Sequence, residues 1–426
     1  MTHFGIICPV DTGHFNPMTT LGCELLRRGH RVTVFNFLDA KAKTQATGLE
    51  FQPFAEQEFP VGWFAEILSQ RGKLSGLAAL RHTFKAVAKT SDAILREAPM
   101  VIKKSGVEAL LVDQVSLEGG TIAEFINIPF ITVCSALLLN QDPDIPPICT
   151  LWQYDPTWKG RLRNQVSYQL LSLLARPIRE GISEYRRKWN LPLQSHPNDY
   201  YSKLAQITQQ SAELEFPRQN LPPYFHFTGP YHNPETRKTV PFPFEQLTGK
   251  PLIYASMGTI QNRLLEVFQI IASACEELDA QLVISLGGGA SPESFPQLPG
   301  NPIVVGYAPQ LELLQKAAIT ITHAGMNTTL ESLTNGVPMV AIPVANDQPG
   351  VAARISWTGV GEVVPLKELS VSKMRSAIVK VLTQESYKQR AIEMQGAIAR
   401  SGGVKRAAAI IEQAVLTRKP VLASQI

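Results

Sequence analysis

Cysteine is scarce and unpatterned in this chain of 426 residues. The five cysteines, Cys8, Cys23, Cys134, Cys149 and Cys275, are scattered and odd in number. No Cys-x-x-Cys pair occurs, so neither a zinc site nor a disulfide framework is indicated, and thiols in a reducing cytosol are the expectation. Charge imbalance is also missing. A formal net charge of +4 makes no electrostatic case for a nucleic-acid partner. Long apolar runs are absent as well. The longest, Ile128 to Leu139, is interrupted by Pro129 and Thr132 and is too short to span a bilayer. Met1 to Pro9 lacks a basic stretch followed by an apolar one, so it suggests a first strand rather than a signal peptide. Repeats and low-complexity segments are lacking. These absences point to a cytoplasmic protein with at most peripheral membrane contact.

What remains is an ordinary folded composition, 44% hydrophobic and 18% charged, in a chain long enough for two domains. The first half alternates strand and helix. Strands are expected at Phe4 to Pro9, Arg31 to Phe37, Ala109 to Val112, Phe130 to Cys134 and Leu204 to Gln206, with a helix from Pro17 to Arg28 closed by Gly29. The rhythm restarts with strands at Leu252 to Ser256, Gln281 to Ser285, Ile303 to Val305, Ile319 to Ile321 and Met339 to Ile342, and a helix from Arg263 to Glu277. Between the halves, Thr228 to Gly249 is dense in proline and polar residues, the composition of a boundary. Helical runs from Glu385 to Arg400 and Val404 to Thr417 close the chain. The expectation is an α/β protein of two doubly wound parallel sheets, divided as 1–230, a linker 231–249, 250–400, and a terminal helix 401–426 crossing back.

Polar residues interrupt the apolar pattern between Pro302 and Ala353 where a core does not need them. His323 and Gly325 follow a strand, a helix begins at Asn327 and carries Thr328 and Glu331, Gly336-Val337-Pro338 ends it, and Asp347-Gln348 follows the next strand. A strand tip, a glycine turn and a helix start form a phosphate site, because backbone N–H groups and the positive end of the helix dipole converge there. A carboxylate and an Asp-Gln pair suit a hydroxyl-rich ligand. Gln310, His323, Gly325, Glu331, Gly336-Val337-Pro338 and Asp347-Gln348 stand in the order of the nucleotide-sugar signature, and the segment resembles the UDP-glycosyltransferases, glycosyltransferase family 1.

The resemblance implies a GT-B fold, two Rossmann-like domains facing across a cleft, with no resident cofactor and a UDP-sugar as co-substrate. His14, in a Gly-His-x-x-Pro loop after the first strand, is then the general base, and Asp113, ending a strand, orients it. Histidine suits that task because it titrates near neutral pH. Gly258 and Thr259 meet the diphosphate. Tyr307 packs beside the base where plant members commonly carry tryptophan, and Gln310 reaches the uracil or ribose. Glu331 takes the ribose hydroxyls, and Asp347 with Gln348 the sugar hydroxyls. Gly287-Gly288-Gly289 is a weaker signal and is expected to be a loop. Backbone and helix-dipole donors can stabilise the leaving diphosphate, so no metal is required by this reading.

Within the family, Phe130 to Leu137, Glu213 to Arg218 and Asp347 to Ala352 resemble the carotenoid-modifying zeaxanthin glucosyltransferases. That implies glucose transfer to a lipophilic hydroxylated acceptor. Other hydrophobic aglycones (polyketide, phenolic, sterol), other sugars, a nucleotide-sugar 2-epimerase and a non-catalytic binding protein are the competing readings. Trp158 to Trp189 is basic and amphipathic. A solvated helix face over the core is its plainer reading, and contact with anionic lipid the sharper one.

Overall fold

The computed structural model describes residues 1–71, 76–232, 240–259, 265–288, 291–294 and 297–425. Seven parallel strands, β1 (His3–Ile7), β2 (Arg31–Asn36), β3 (Glu50–Pro53), β4 (Ala109–Asp113), β5 (Phe130–Cys134), β6 (Gln206–Thr208) and β7 (Phe225–Phe227), form one sheet. Its order is β3-β2-β1-β4-β5-β6-β7. Six more, β8 (Leu252–Ser256), β9 (Gln281–Ser285), β10 (Ile303–Val305), β11 (Ala317–Thr322), β12 (Met339–Ala341) and β13 (Gly361–Val363), form a second parallel sheet in the order β10-β9-β8-β11-β12-β13. The central strands β1, β4 and β8 are buried along their whole length, as strands covered by helices on both faces must be.

The helix Thr12–Arg27 buries Phe15, Met18, Leu21 and Leu25, a spacing that keeps one stripe against the sheet. It ends before Gly29, which takes φ +88°, a conformation costly for other residues. After the helix Glu385–Arg400, Gly402 and Gly403 both take positive φ and turn the chain. The Gly403 N–H donates to the Thr228 carbonyl at 2.6 Å. The last helix, Gly403–Thr417, then packs on Thr12–Arg27, and its Ala407, Ile410, Ile411 and Ala414 belong to the core of the first sheet. Fully burying each of the two isoleucines stabilises by about 1.5–3 kcal/mol. Arg28 adds an ion pair to Glu412 at 2.8 Å, and the His30 ring a hydrogen-bond contact to it at 2.9 Å.

Several boundaries differ from the spacing-based expectation. β6 begins two residues later than expected, β3, β7 and β13 are three- or four-residue strands too short to show a period, and the helix Gly76–Lys104 was not anticipated. Trp158 to Trp189 is two helices, Trp158–Leu174 and Arg176–Lys188, broken ahead of Pro177. Part of the expected linker (233–239), the start of the helix expected at Arg263, and Gly289 lie outside the described residues. All five cysteines are free, with Cys8, Cys134 and Cys275 buried. No described helix is long and apolar enough to cross a membrane.

Candidate active site

Each sheet reverses its winding once, between β1 and β4 in the first and between β8 and β11 in the second. Open α/β sheets bind ligands outside the carboxyl ends of strands at such points. Four strand ends therefore define the cleft: β1 leads to His14, β4 ends on Asp113, β8 leads to Gly258 and β11 to His323.

His14 lies in a helix, not on the loop that spacing suggests. The helix starts at Thr12, because the Asp11 carbonyl accepts the N–H groups of His14 (3.0 Å) and Phe15 (2.8 Å). Pro17 is consequently inside the helix, where it has no N–H to offer the carbonyl four residues back. That carbonyl is Gly13, and it accepts instead from Asn327 Nδ2 at 3.1 Å, on the opposite side of the cleft.

His14 Nδ1 sits 3.1 and 3.2 Å from the two carboxylate oxygens of Asp113 and 3.0 Å from Ser135 Oγ. The Ser135 hydroxyl donates to Asp113 in a short contact, and the Val115 N–H donates to it at 3.0 Å. Asp113 is 1% exposed and His14 20%, so the carboxylate is shielded while the ring edge reaches the cleft. With Nδ1 directed at the carboxylate, Nε2 is the nitrogen free to accept a proton when the ring is neutral. Burial works to lower the His14 pKa, but the charge and hydrogen bond of Asp113, supported by Asp11 and Asp347, outweigh it and raise the pKa to about 9. Burial in turn raises the Asp347 carboxyl.

On the far side, the His323 ring lies between two glycines. A Cβ on Gly258 would come 2.5 Å from its Cε1, and one on Gly325 2.5 Å from its Nε2. Gly258 also takes φ +73°, so the position suits glycine twice over. Burial lowers the His323 pKa to about 4. The ring is neutral at pH 7, a hydrogen bond to the Ser256 backbone opposes the lowering, and its buried Nδ1 has no side-chain partner among the described residues. Gly325 caps the helix Met326–Thr334, whose N-terminus points its dipole at the same place. This neutral, partly unsatisfied cradle fits an oxyanion.

Gln310 and Glu331 hold one another. Gln310 Nε2 donates to Glu331 at 2.5 Å and lies 3.4 Å from Thr328 Oγ1, while its Oε1 accepts from Tyr254 Oη at 3.0 Å. Glu331 is 1% exposed, with His232 Nδ1 at 3.9 Å. Tyr307 is largely exposed, and its ring overlies Gly288. Thr259 is exposed on the turn after Gly258. Gln348 is more committed than expected, because its Oε1 accepts the N–H groups of Val344 and Ala345, both at 2.9 Å.

The two sides also touch directly. Asp347 accepts from the Leu137 N–H at 3.3 Å, the Gly350 N–H donates to the Ile148 carbonyl at 2.8 Å, and Asn327 Oδ1 accepts from Gln209 Nε2 at 2.8 Å. Sequence reasoning grouped Asn327 with the donor residues, whereas its side chain ties Gly13 to Gln209 across the cleft. It also missed Ser135, Gln209, Tyr254 and His232. A hydroxyl directly after β5 was the available signal for Ser135, and the others carry none. Asp142-Pro143-Asp144 has an Asp-x-Asp spacing, but both carboxylates are already engaged. Asp142 accepts from Asn220, and Asp144 from Arg161. No cluster of three or more potential metal ligands occurs among the described residues.

Comparison with known proteins agrees with this architecture. The family model described as UDP-glucoronosyl and UDP-glucosyl transferase matches residues 6–398. The zeaxanthin glucosyltransferase of Pantoea ananas is 33% identical over 424 residues, covering 99% of this chain and 98% of that protein. The zeaxanthin glucosyltransferase of Pseudescherichia vulneris is 30% identical over 419 residues, covering 97% and 98%. The crystal structure of the glycotransferase of kitacinnamycin superposes with a TM-score of 0.76 at 21% identity, covering 97% of this chain and 98% of its own, a likeness of fold. Two facing doubly wound sheets and a family match along nearly the whole chain make this protein a GT-B glycosyltransferase that belongs to the UDP-glucoronosyl and UDP-glucosyl transferase family.

Proposed function

We propose that this enzyme moves glucose from UDP-glucose to a hydroxyl of a lipophilic acceptor, a carotenoid diol such as zeaxanthin, with inversion at the anomeric carbon. The observation that carries the reading is the His14–Asp113 pair, 3.1 Å apart, at two adjacent strand ends and opposite the His323 cradle. His14 Nε2 takes the acceptor proton as the oxygen attacks, and Asp113 stabilises the imidazolium that forms. His323, the Gly258 backbone and the N-terminus of Met326–Thr334 receive the leaving diphosphate. Tyr307 stacks on the uracil, Gln310 and Glu331 meet the ribose, and Thr259 and Thr328 add hydroxyl donors. Asp347 and Gln348 hold the glucose. The zeaxanthin relatives support the carotenoid acceptor. No metal enters this scheme, and the enzyme works in the cytoplasm against the membrane that holds its acceptor.

A single displacement turns an α-linked donor into a β-glucoside, since no second carboxylate beside His14 is assigned to trap a covalent sugar. Purified enzyme incubated with UDP- and dTDP-sugars and a panel of hydroxylated lipids tests donor and acceptor together. Proton NMR of the product reads the anomeric coupling. An α-glucoside would overturn the mechanism and the role of His14, and activity confined to water-soluble phenols would overturn the acceptor.

A further inference from the structure

The helix Trp158–Leu174 has two dissimilar faces. Its inner face is fastened to the wall of the cleft. Asn164 Nδ2 donates to the Pro143 carbonyl at 2.9 Å, Tyr168 Oη to the Ile145 carbonyl at 3.0 Å, and Arg161 to Asp144 at 2.5 Å. The segment so held runs to Ile148, whose carbonyl accepts from Gly350, three residues beyond Asp347. The outer face carries Trp158, Leu162, Val166, Leu170 and Leu173, which are 70, 52, 52, 59 and 65% exposed. At 3.6 residues per turn these five fall within an arc of about 120° and span about 22 Å. Lys159 and Gln169 share that arc. A contiguous apolar face of this kind on a folded chain marks a surface that something covers.

The charge pattern indicates what covers it. Trp158 to Leu174 contains Lys159, Arg161 and Arg163 and no acid, and Arg176 follows. Arg161 and Arg176 pair with acids from neighbouring positions, while Lys159 stands over the Trp158 ring, 5.8 Å from its centre. A second copy of the chain would bring these cations together with no acid on this helix to meet them. An anionic bilayer meets both features at once: apolar side chains enter the headgroup boundary, tryptophan sits at that boundary, and lysine reaches the phosphates.

We propose that the outer face of Trp158–Leu174 docks the enzyme on an anionic membrane surface, with the cleft wall fastened directly behind it. Docking stands on the face itself. Only its purpose, passing a lipophilic alcohol from the bilayer to His14, rests on the acceptor reading given above.

Flotation of the full-length enzyme with phosphatidylcholine–phosphatidylglycerol vesicles, without donor or acceptor, tests docking alone. The wild type should float with mixed vesicles and far less with phosphatidylcholine by itself. Replacing Leu162, Val166 and Leu170 together by glutamine should lower the partition coefficient at least about tenfold, with melting and transfer to a water-soluble phenol unchanged, since all three side chains are exposed. Emission of Trp158 should shift to the blue on mixed vesicles, and Trp158→Phe should remove that shift, a readout independent of the triple variant's folding. Vesicle binding by the triple variant at the wild-type level, no binding by the wild type, or a wild-type dimer that the triple variant splits would each overturn the proposal. Vesicle binding with no transfer to any membrane alcohol would leave docking standing and overturn the acceptor reading instead.

Discussion

Glu215 and Arg354 form a buried ion pair between the two halves of the molecule. Arg354 Nε donates to Glu215 Oε1 at 2.7 Å, and each side chain is 1% exposed. Arg354 belongs to the helix Gln348–Trp357, which begins directly after Asp347, and its guanidinium lies 4.3 Å from the Phe216 ring centre. Burial opposes ionisation of Glu215, but Arg354 and Arg218 outweigh it and hold the carboxyl below the usual range. Desolvation offsets most of the attraction in such a pair, so its main effect is to fix position. Here it fixes Asp347 and Gln348 relative to His14.

Breaking one partner should cost far more than removing both. Arg354→Met leaves Glu215 buried with Arg218, 3.6 Å away, as its remaining cation among the described residues, and should lose about 3–5 kcal/mol. Arg354→Met combined with Glu215→Leu should recover part of the melting temperature, since Arg218 then stays buried without its carboxylate. Recovery of stability without recovery of kcat would identify the pair as a positioning device. Equal losses in the single and double variants would refute the coupling.

The protonation of His14 sets a pH profile. The free ring keeps its proton up to about 9, so kcat/KM should climb with pH and level off near that value. His14→Ala should slow transfer by about 10²–10⁴-fold and leave UDP affinity nearly intact. Asp113→Asn removes the main source of the elevation, so the inflection should move down and the plateau rate should fall. A folded-state pKa above the unfolded value also contributes stability. That contribution is fully present below about pH 6.5 and is lost as pH rises through about 9. A wild-type profile flat from about pH 6 to about pH 9 would remove His14 from the proton transfer.

His323 has the opposite sign. Its folded pKa of about 4 lies below the ordinary value of 6.5, so acid protonates the unfolded chain first. Stability should fall as pH drops from about 6.5 to about 4, and melting curves of His323→Gln should show a shallower fall. Gly258→Ala should push the ring aside, since its Cβ would meet Cε1 at 2.5 Å, and should weaken UDP binding measured by calorimetry. Unchanged affinity in Gly258→Ala would place the diphosphate elsewhere.

The role of Gln348 divides between its two polar atoms. Gln348→Glu keeps an oxygen to accept from Val344 and Ala345 but removes the amide donors. It should retain the melting temperature and raise the KM for UDP-glucose more than the inhibition constant of UDP. Gln348→Ala removes the loop anchor as well and should cost about 1–3 kcal/mol of stability. If the two variants lose equally for both ligands, Gln348 is purely a loop anchor.

Much of the fold and part of the candidate site were legible without coordinates, the fold because it depends on local rules. The alternation of apolar runs, glycine stops and helical spacing placed β1, β4, β8 and β11, and the residues beyond their tips are the ones a doubly wound sheet turns toward its ligand. His14, Asp113, Gly258 and His323 stand at or beyond those tips, and the family resemblance is what implies their roles. Strand order was not legible, since a strand buried on both faces has no alternation to say which neighbour it meets. Nor could spacing show that the first helix begins ahead of Pro17, which frees the Gly13 carbonyl for Asn327, 314 positions away. The same holds for Ser135 beneath His14, for Leu137 on Asp347, and for Glu215 on Arg354. Sequence determined which chemistry each strand end carries, because side-chain type and local turn geometry are properties of a few adjacent residues. Tertiary structure alone decided which ends face each other and which polar groups are spent holding them, because buried donors and acceptors must find partners wherever packing puts them.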